Sequence, residues 1–255
     1  MTLQIGPELA PPRSRLKETR RAPSRWGDFP PPPPVRSATR VEPLESSRLE
    51  RAAAVGMMIA LTPLLAAIAV AIKVESPRGP VFYRQERVGV DRRRQAGFPV
   101  AQERRKTRGF GRTFQIWKFR TMVTDAEAKS GPVWAAERDP RITRVGRVLR
   151  HLRLDELPQF LNVATGEMSL IGPRPERPHF VEKLSEEMPT YERRLTVPPG
   201  ITGLAQVERE YDATVNDVRT KLQYDLFYVK HRSTLMNMKI LIKTVDVVLR
   251  GRGAR

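Results

Sequence analysis

Residues 52–72 (AAAVGMMIALTPLLAAIAVAI) carry no charge. An apolar run of about 20 residues is long enough to cross a bilayer as a straight helix. Two features complicate a plain span. Pro63 follows Thr62 at the midpoint, where a proline removes a helix hydrogen bond and clashes with the preceding turn. Basic residues flank both ends, Arg48 and Arg51 before and Lys73 and Arg78 after. Cytoplasmic flanks are rich in Lys and Arg, so this symmetry leaves the orientation open or places both ends on one side. Broken at its centre, the helix has two arms of about 15 Å, enough to reach the bilayer midplane and return. The segment therefore reads as a re-entrant helix interrupted at Thr62 and Pro63, or as a true span, with a buried core helix of a soluble domain as a third reading.

Around this helix the chain divides into three. Residues 1–49 are rich in Pro, Arg and Ser, with the run Pro30 to Pro34, and too poor in apolar side chains to offset the entropy of ordering. They read as a disordered tail, not a signal peptide, because no apolar core follows a short basic start. Residues 50–75 form the membrane-inserted helix, and 76–255 a single α/β domain. Within that domain 91–112 are strongly basic and read as a surface insertion attracted to anionic headgroups. Short strands are expected at Val81–Tyr83, 114–119 and Leu204–Val207, and helices at 123–130, 143–163, 215–230 and 233–249. The last helix has a broad apolar face beside Lys239 and Lys243, suited to core packing or to the membrane interface.

The net charge of +18 asks for an anionic partner: nucleic acid, anionic lipid or a phosphorylated substrate. Zero cysteines exclude disulfides, thiolate metal sites and a cysteine nucleophile, and the three histidines, His151, His179 and His231, are too scattered for a zinc motif.

The densest chemistry lies in Leu152-Arg153-Leu154-Asp155-Glu156-Leu157-Pro158-Gln159 and in Ser169-Leu170-Ile171-Gly172-Pro173-Arg174-Pro175. Adjacent carboxylates open an expected helix behind Arg150 and Arg153, and a second loop fixes an arginine between prolines. The set suits anionic phosphates and a carboxylate nucleophile. A structural reading stands beside it, because acidic residues cap and stabilise helix N-termini and proline is at home in a first helical turn.

In order along the chain stand the proline-containing apolar helix; Gly79-Pro80-Val81-Phe82 with Arg84-Gln85 and Arg87-Val88-Gly89; Lys118-Phe119-Arg120-Thr121-Met122; Asp139-Pro140-Arg141-Ile142-Thr143; the two blocks just described; and Pro199-Gly200-Ile201-Thr202-Gly203. This ordered set, covering about residues 51–249, resembles the bacterial sugar transferase family, the monotopic phosphoglycosyl transferases. The resemblance implies a mostly helical α/β fold with a small sheet, a re-entrant helix and interfacial amphipathic helices. It places the protein on the bacterial inner (cytoplasmic) membrane, facing the cytoplasm. It implies transfer of a phosphosugar from a nucleotide diphosphate sugar, usually a UDP-sugar, to polyprenol phosphate, at the start of glycoconjugate or exopolysaccharide assembly. Asp155 would be the nucleophile of a covalent intermediate and Glu156 would help hold Mg²⁺. Arg150 and Arg174 would bind phosphate, with Arg120 a third member and Lys118 in the same block. Thr62-Pro63 would match the family's helix break, the hydroxyl serving a carbonyl freed by proline.

This chain departs from the family pattern at Arg153 (usually Ser), at Pro198 (usually basic), at Leu204 (usually Trp), and at Glu208-Arg209-Glu210. The later changes bear on donor identity. Partners implied are the nucleotide sugar, polyprenol phosphate and membrane lipid, with no nucleic acid, and a homo-oligomer left open. The alternatives are an inactive membrane scaffold of the same fold, and a basic nucleic-acid-binding protein, against which stands the apolar segment.

Overall fold

The computed structural model of the chain describes residues 47–91, 110–124, 126, 139–208 and 215–250. The expected tail (apart from its last few residues), nearly all of the basic segment 91–112 and most of the expected helix 123–130 lie outside them.

Helix α1 (Arg48–Glu75) opens with a capping box: the Ser47 hydroxyl accepts from the Glu50 amide at 3.1 Å, and the Glu50 carboxylate accepts from the Ser47 amide at 3.0 Å. The helix does not divide at Thr62-Pro63; residues on both sides belong to one element. The Thr62 hydroxyl donates to the Met58 carbonyl at 2.9 Å. Proline at 63 frees the carbonyl of Ile59 instead, so Thr62 braces the turn before the proline and does not serve the freed group. The least exposed side chains, among them Arg51, Ala54, Met58, Leu61, Leu65, Ile68 and Ile72, recur at alternating intervals of three and four and so form one stripe. Ala54 packs with Phe114, Ile116, Val163 and Met168, and Ile68 and Ile72 pack with Phe119 and Leu149. Val55, Met57, Ile59, Leu64, Val70 and Val74 stay exposed. Only 11% of the most apolar window of α1 is buried, which removes the reading as a soluble core helix.

Strands β1 (Phe82–Val88) and β2 (Thr113–Phe119) pair antiparallel, from Phe82 opposite Phe119 to Val88 opposite Thr113. β1 is longer than the expected Val81–Tyr83 because β2 pairs with its whole length. Strand alternation puts Phe82 and Arg84 with Trp117 and Phe119 on one face, and Tyr83, Gln85 and Arg87 with Lys118, Ile116 and Phe114 on the other.

The single helix expected over 143–163 is three pieces: α2 (Arg144–His151), a 3-10 helix (Leu154–Gln159) and α3 (Phe160–Ala164). Arg153 takes a left-handed backbone conformation, φ 57°, between the first two. Pro158 supplies no amide donor and disfavours α geometry at Leu157, so the second stretch winds as a 3-10 helix.

β3 (Ser169–Ile171) pairs in parallel with β4 (Gly200–Thr202). A side chain on Gly200 or Gly203 would collide with the Gly172 backbone, which explains the two glycines of Pro199-Gly200-Ile201-Thr202-Gly203. The strand expected at Leu204–Val207 is a helix, α5 (Leu204–Glu208). Leu204, Ala205, Val207 and Glu208 are all buried, so the period of two that a half-exposed strand needs is missing.

Helix α4 (Pro178–Glu187), a 3-10 helix (Tyr191–Thr196), α6 (Val215–His231) and α7 (Thr234–Leu249) complete the domain. On α7, Ile240 enters the core while Leu235, Met238, Ile242, Val245 and Leu249 form an exposed stripe. Lys243 is not on the basic rim expected of it. It is buried and donates to Glu208 of α5.

Candidate active site

The reversal at Arg153 brings Asp155 and Glu156 beneath β2. No side chain caps the 3-10 helix that carries them, and its first amide bond runs from Glu156 to the Arg153 carbonyl at 3.3 Å. The capping reading of the two carboxylates is therefore not realised.

The neighbours differ sharply in what they touch. Glu156 Oε1 accepts from Lys118 Nζ at 2.7 Å and from Arg174 Nη2 at 2.6 Å, while Oε2 meets Arg174 Nη1 only at 3.4 Å. Asp155 is 8% exposed, and its carboxylate takes no hydrogen bond or ion pair among the described residues. Burial pushes the Asp155 carboxyl above the ordinary aspartate range, opposed chiefly by the charge on Lys118. Burial acts on Glu156 in the same sense, but Arg174 and Lys118 outweigh it and hold this carboxyl well below the usual range. Lys118 is itself lowered by burial, with Glu156 resisting, and Arg174 is raised by Glu156.

Each cation reaches the pair by a different route. Strand alternation turns Lys118 inward. Arg174 sits in the loop after β3, and that loop is tied down along its backbone. The Gly200 amide donates to the Pro173 carbonyl at 3.0 Å, Arg194 Nη2 to the Arg174 carbonyl at 2.8 Å, and Arg87 Nη1 to the Pro175 carbonyl at 3.0 Å. Arg150, near the end of α2, donates from Nε to the Thr121 hydroxyl at 2.9 Å, and its charge reaches both Asp155 and Asp139. Gly146 leaves no room for a side chain against the Thr121 backbone, so α2 lies directly on that segment. Asp139 grips the Arg141 guanidinium through both oxygens, at 2.8 and 2.6 Å, and this contact holds its carboxyl below the usual range.

Of the residues expected at the site, Lys118, Arg150, Asp155, Glu156 and Arg174 come together. Arg120 does not join them: it is buried against Gly79, with Nη2 donating to the Ser76 carbonyl at 3.2 Å. Thr62 and Pro63 lie on the uncovered stretch of α1. Sequence reading missed the network behind Arg174, made of Arg194, Tyr191 and Asp225. Its one visible signal was a pair of arginines, Arg193-Arg194, just upstream of the Pro198-Pro199-Gly200 turn.

No group of three or more His, Cys, Asp or Glu side chains gathers among the described residues. Mg²⁺ does not require one, since it is commonly held by one or two carboxylates plus substrate phosphates. The unpaired carboxylate of Asp155 and Oε2 of Glu156 fit that donor set.

The chain matches the family model described as bacterial sugar transferase over residues 46–251. It is 44% identical over 194 residues to a UDP-N-acetylgalactosamine-undecaprenyl-phosphate N-acetylgalactosaminephosphotransferase of Aeromonas hydrophila, covering 76% of this chain and 41% of that protein. It is 40% identical over 205 residues to a UDP-glucose:undecaprenyl-phosphate glucose-1-phosphate transferase of Caulobacter vibrioides, covering 79% and 68%. It is 36% identical over 205 residues to an exopolysaccharide production protein of Rhizobium leguminosarum, covering 77% and 91%. The chain thus spans about two fifths of the length of the Aeromonas relative and most of the Rhizobium one. The paired carboxylates, the basic residues around them and the glycine-dependent crossing of β3 and β4 all fall inside the matched span, and on that span the chain belongs to the bacterial sugar transferase family.

Proposed function

We propose that the protein is a phosphoglycosyl transferase that moves a phosphosugar from a UDP-sugar to polyprenol phosphate and releases UMP. The observation that carries this reading is the contrast at the centre: a buried aspartate without a bonding partner among the described residues beside a glutamate locked by two cations. An Asp155 oxygen attacks the phosphorus bonded to the sugar, the phosphoanhydride bond breaks, and UMP leaves with the bonding pair. A phosphate oxygen of the lipid then attacks the same phosphorus, the acyl-phosphate bond breaks, and the Asp155 carboxylate is restored. Splitting one displacement into two is the usual gain of a carboxylate nucleophile. Glu156 keeps Lys118 and Arg174 aimed at the site, and Arg174 and Arg150 supply guanidinium donors suited to phosphate oxygens. Arg120, held on Ser76, stays outside this set. Asp155 and Oε2 of Glu156 would hold Mg²⁺ together with the substrate phosphates, and the ion would supply charge neutralisation that eases departure of the nucleotide.

The same reading places the domain on the cytoplasmic face of the bacterial inner membrane with α1 inserted but not spanning. Two contacts support this. Near the start of α1, Glu50 accepts from the Ser169 hydroxyl at 2.8 Å; at its end, Glu75 accepts from the amides of Arg144 and Val145 at 2.8 and 3.0 Å. Those partners belong to one domain, whereas a straight helix of 28 residues is about 42 Å long and would carry its ends to opposite sides of an apolar layer about 30 Å thick. The exposed stripes of α1 and α7 offer apolar surface to lipid.

The test incubates detergent-solubilised protein with a panel of UDP-sugars, polyprenol phosphate and Mg²⁺ and follows UMP. Turnover by the native chain, abolished in Asp155→Asn and severely reduced in Glu156→Gln, is expected. A fully active Asp155→Asn protein sinks the nucleophile assignment. For topology, a cysteine introduced at position 48 is labelled by an impermeant reagent from the cytoplasmic side; labelling only from outside defeats the non-spanning form.

A further inference from the structure

Behind Arg174 lies a buried set that the chemistry above does not use. Arg194 and Asp225 are each 2% exposed. Arg194 Nε donates to Asp225 Oδ2 at 2.9 Å, Nη1 to the Tyr191 hydroxyl at 2.9 Å, and Nη2 to the backbone carbonyl of Arg174 at 2.8 Å. Its guanidinium also lies 5.1 Å from the centre of the Tyr191 ring. Three segments meet on one planar group: the 3-10 helix 191–196 through Tyr191, α6 through Asp225, and the phosphate loop through Arg174.

We propose that Arg194 is a positioning residue of the transfer reaction, which fixes the Arg174 backbone so that the Arg174 side chain stays registered on Glu156. The proposal rests on the transferase reading. The Arg174 guanidinium is 29% exposed and leans on a single carboxylate at its tip. At its root the loop is itself neither helix nor strand, because β3 ends at Ile171 and α4 begins only at Pro178. The prolines on either side of Arg174 restrict φ at 173 and 175 and supply no amide donors, so they contribute no ladder bond of their own. The loop is held by donors reaching its carbonyls: the Gly200 amide on Pro173, Arg194 on Arg174, Arg87 on Pro175, and the Val88 amide on Glu176. Among the described residues, Arg194 is the one that donates to the Arg174 carbonyl. Arginine suits the post, since its planar fork donates from three separate nitrogens in fixed directions, whereas a lysine donates from a single nitrogen. Asp225 and Tyr191 orient the fork.

The test compares initial rates of UMP release and their pH profiles for the native chain, Arg194→Lys, Tyr191→Phe and Asp225→Asn, with thermal melts to register folding. Arg194→Lys is expected to lower kcat by about a hundredfold with little change in KM for the nucleotide sugar, because a displacement near 1 Å at a reacting group costs about that much. The acid limb of kcat/KM is also expected to move to higher pH, because a misplaced Arg174 shields the carboxylates less. A residue that merely stabilised the fold would move neither kcat per folded molecule nor the acid limb. In a chain already carrying Arg174→Lys, replacing Arg194 should add almost nothing, since the group it registers is gone. If Arg194→Lys does not fold, Tyr191→Phe and Asp225→Asn carry the same comparison with smaller losses in the same order of kcat and limb. Unchanged kcat and acid limb in the folded variants overturn the proposal, as does an Arg194 effect of equal size with and without Arg174. A native chain without Asp155-dependent turnover overturns the transferase reading and this inference with it, whereas a turning-over native chain beside an unaltered Arg194→Lys overturns the inference alone.

Discussion

Under α7, Lys243 and Glu208 are 6% and 1% exposed and meet as a cation and a carboxylate in a packed interior. At the candidate site, Glu156 takes two cations while the adjacent Asp155 takes none within bonding distance among the described residues. Both places bury charge, yet they solve the problem differently. The pair under α7 matches opposite charges where water is excluded, which is what a buried ion needs if it is not to cost several kcal/mol (about 3–5 when one partner is lost). The site leaves one carboxylate without a bonded cation among the described residues, and burial raises it, a combination found where a charge is put to use. On the proposed function, a substrate phosphate group would complete that second cluster, whereas the first already joins cation to carboxylate.

Substitutions can break this contrast in turn. The largest effect is expected from Asp155→Asn, which should remove turnover by about 10⁴-fold or more while leaving the thermal midpoint unchanged or higher, because it deletes a buried charge with no partner. A midpoint falling by many degrees would mean that Asp155 is held by the fold after all. Next comes Glu208→Ala, which removes the carboxylate bonded to buried Lys243 and should cost about 3–5 kcal/mol in denaturant unfolding, while UMP release per folded molecule stays within about threefold. Equal damage to stability and to chemistry would erase the distinction between the two clusters.

Lys118→Met tests the site from its cationic side. The Asp155 carboxyl is raised by burial and drawn down by Lys118, so loss of the lysine raises it further. The ionised, nucleophilic form then disappears at higher pH. The acid limb of kcat/KM, expected above the ordinary aspartate value near 3.9 in the native chain, moves upward again in the variant. An unmoved or lowered limb would show that another group sets it. The smallest effect is at Glu75, whose carboxylate accepts the first amides of α2 and is lowered by those bonds against the effect of burial. Glu75→Gln should cost about 1 kcal/mol, as for a weakened helix cap, without changing the pH profile.

Legibility followed the range of the interactions involved. The apolar helix, the two C-terminal helices and strand β2 were readable because periodicity and length are local properties, whereas only the start of β1 was. So were the chemical candidates Asp155, Glu156, Arg150 and Arg174, whose motif blocks carry them. The three-way division of 143–163 was half visible: Pro158 announces a disturbance, but the left-handed turn sits at an arginine, a residue with no local preference for it. Leu204 to Glu208 misled because buried apolar residues in a short run suit strand and helix alike.

The chain's order of residues by itself determined that an uncharged helix with a central proline precedes a basic α/β domain, and that two carboxylates and several arginines are available for phosphate. Tertiary structure alone decided which arginine goes where. Arg174 closes on Glu156, Arg120 turns back to Ser76, and Arg194 reaches across to hold the Arg174 carbonyl. It also decided that Asp155 stays unpaired while Glu156 does not. A guanidinium has the same donors wherever it stands in a sequence; its partner is set by which carbonyls and carboxylates packing brings within about 3 Å.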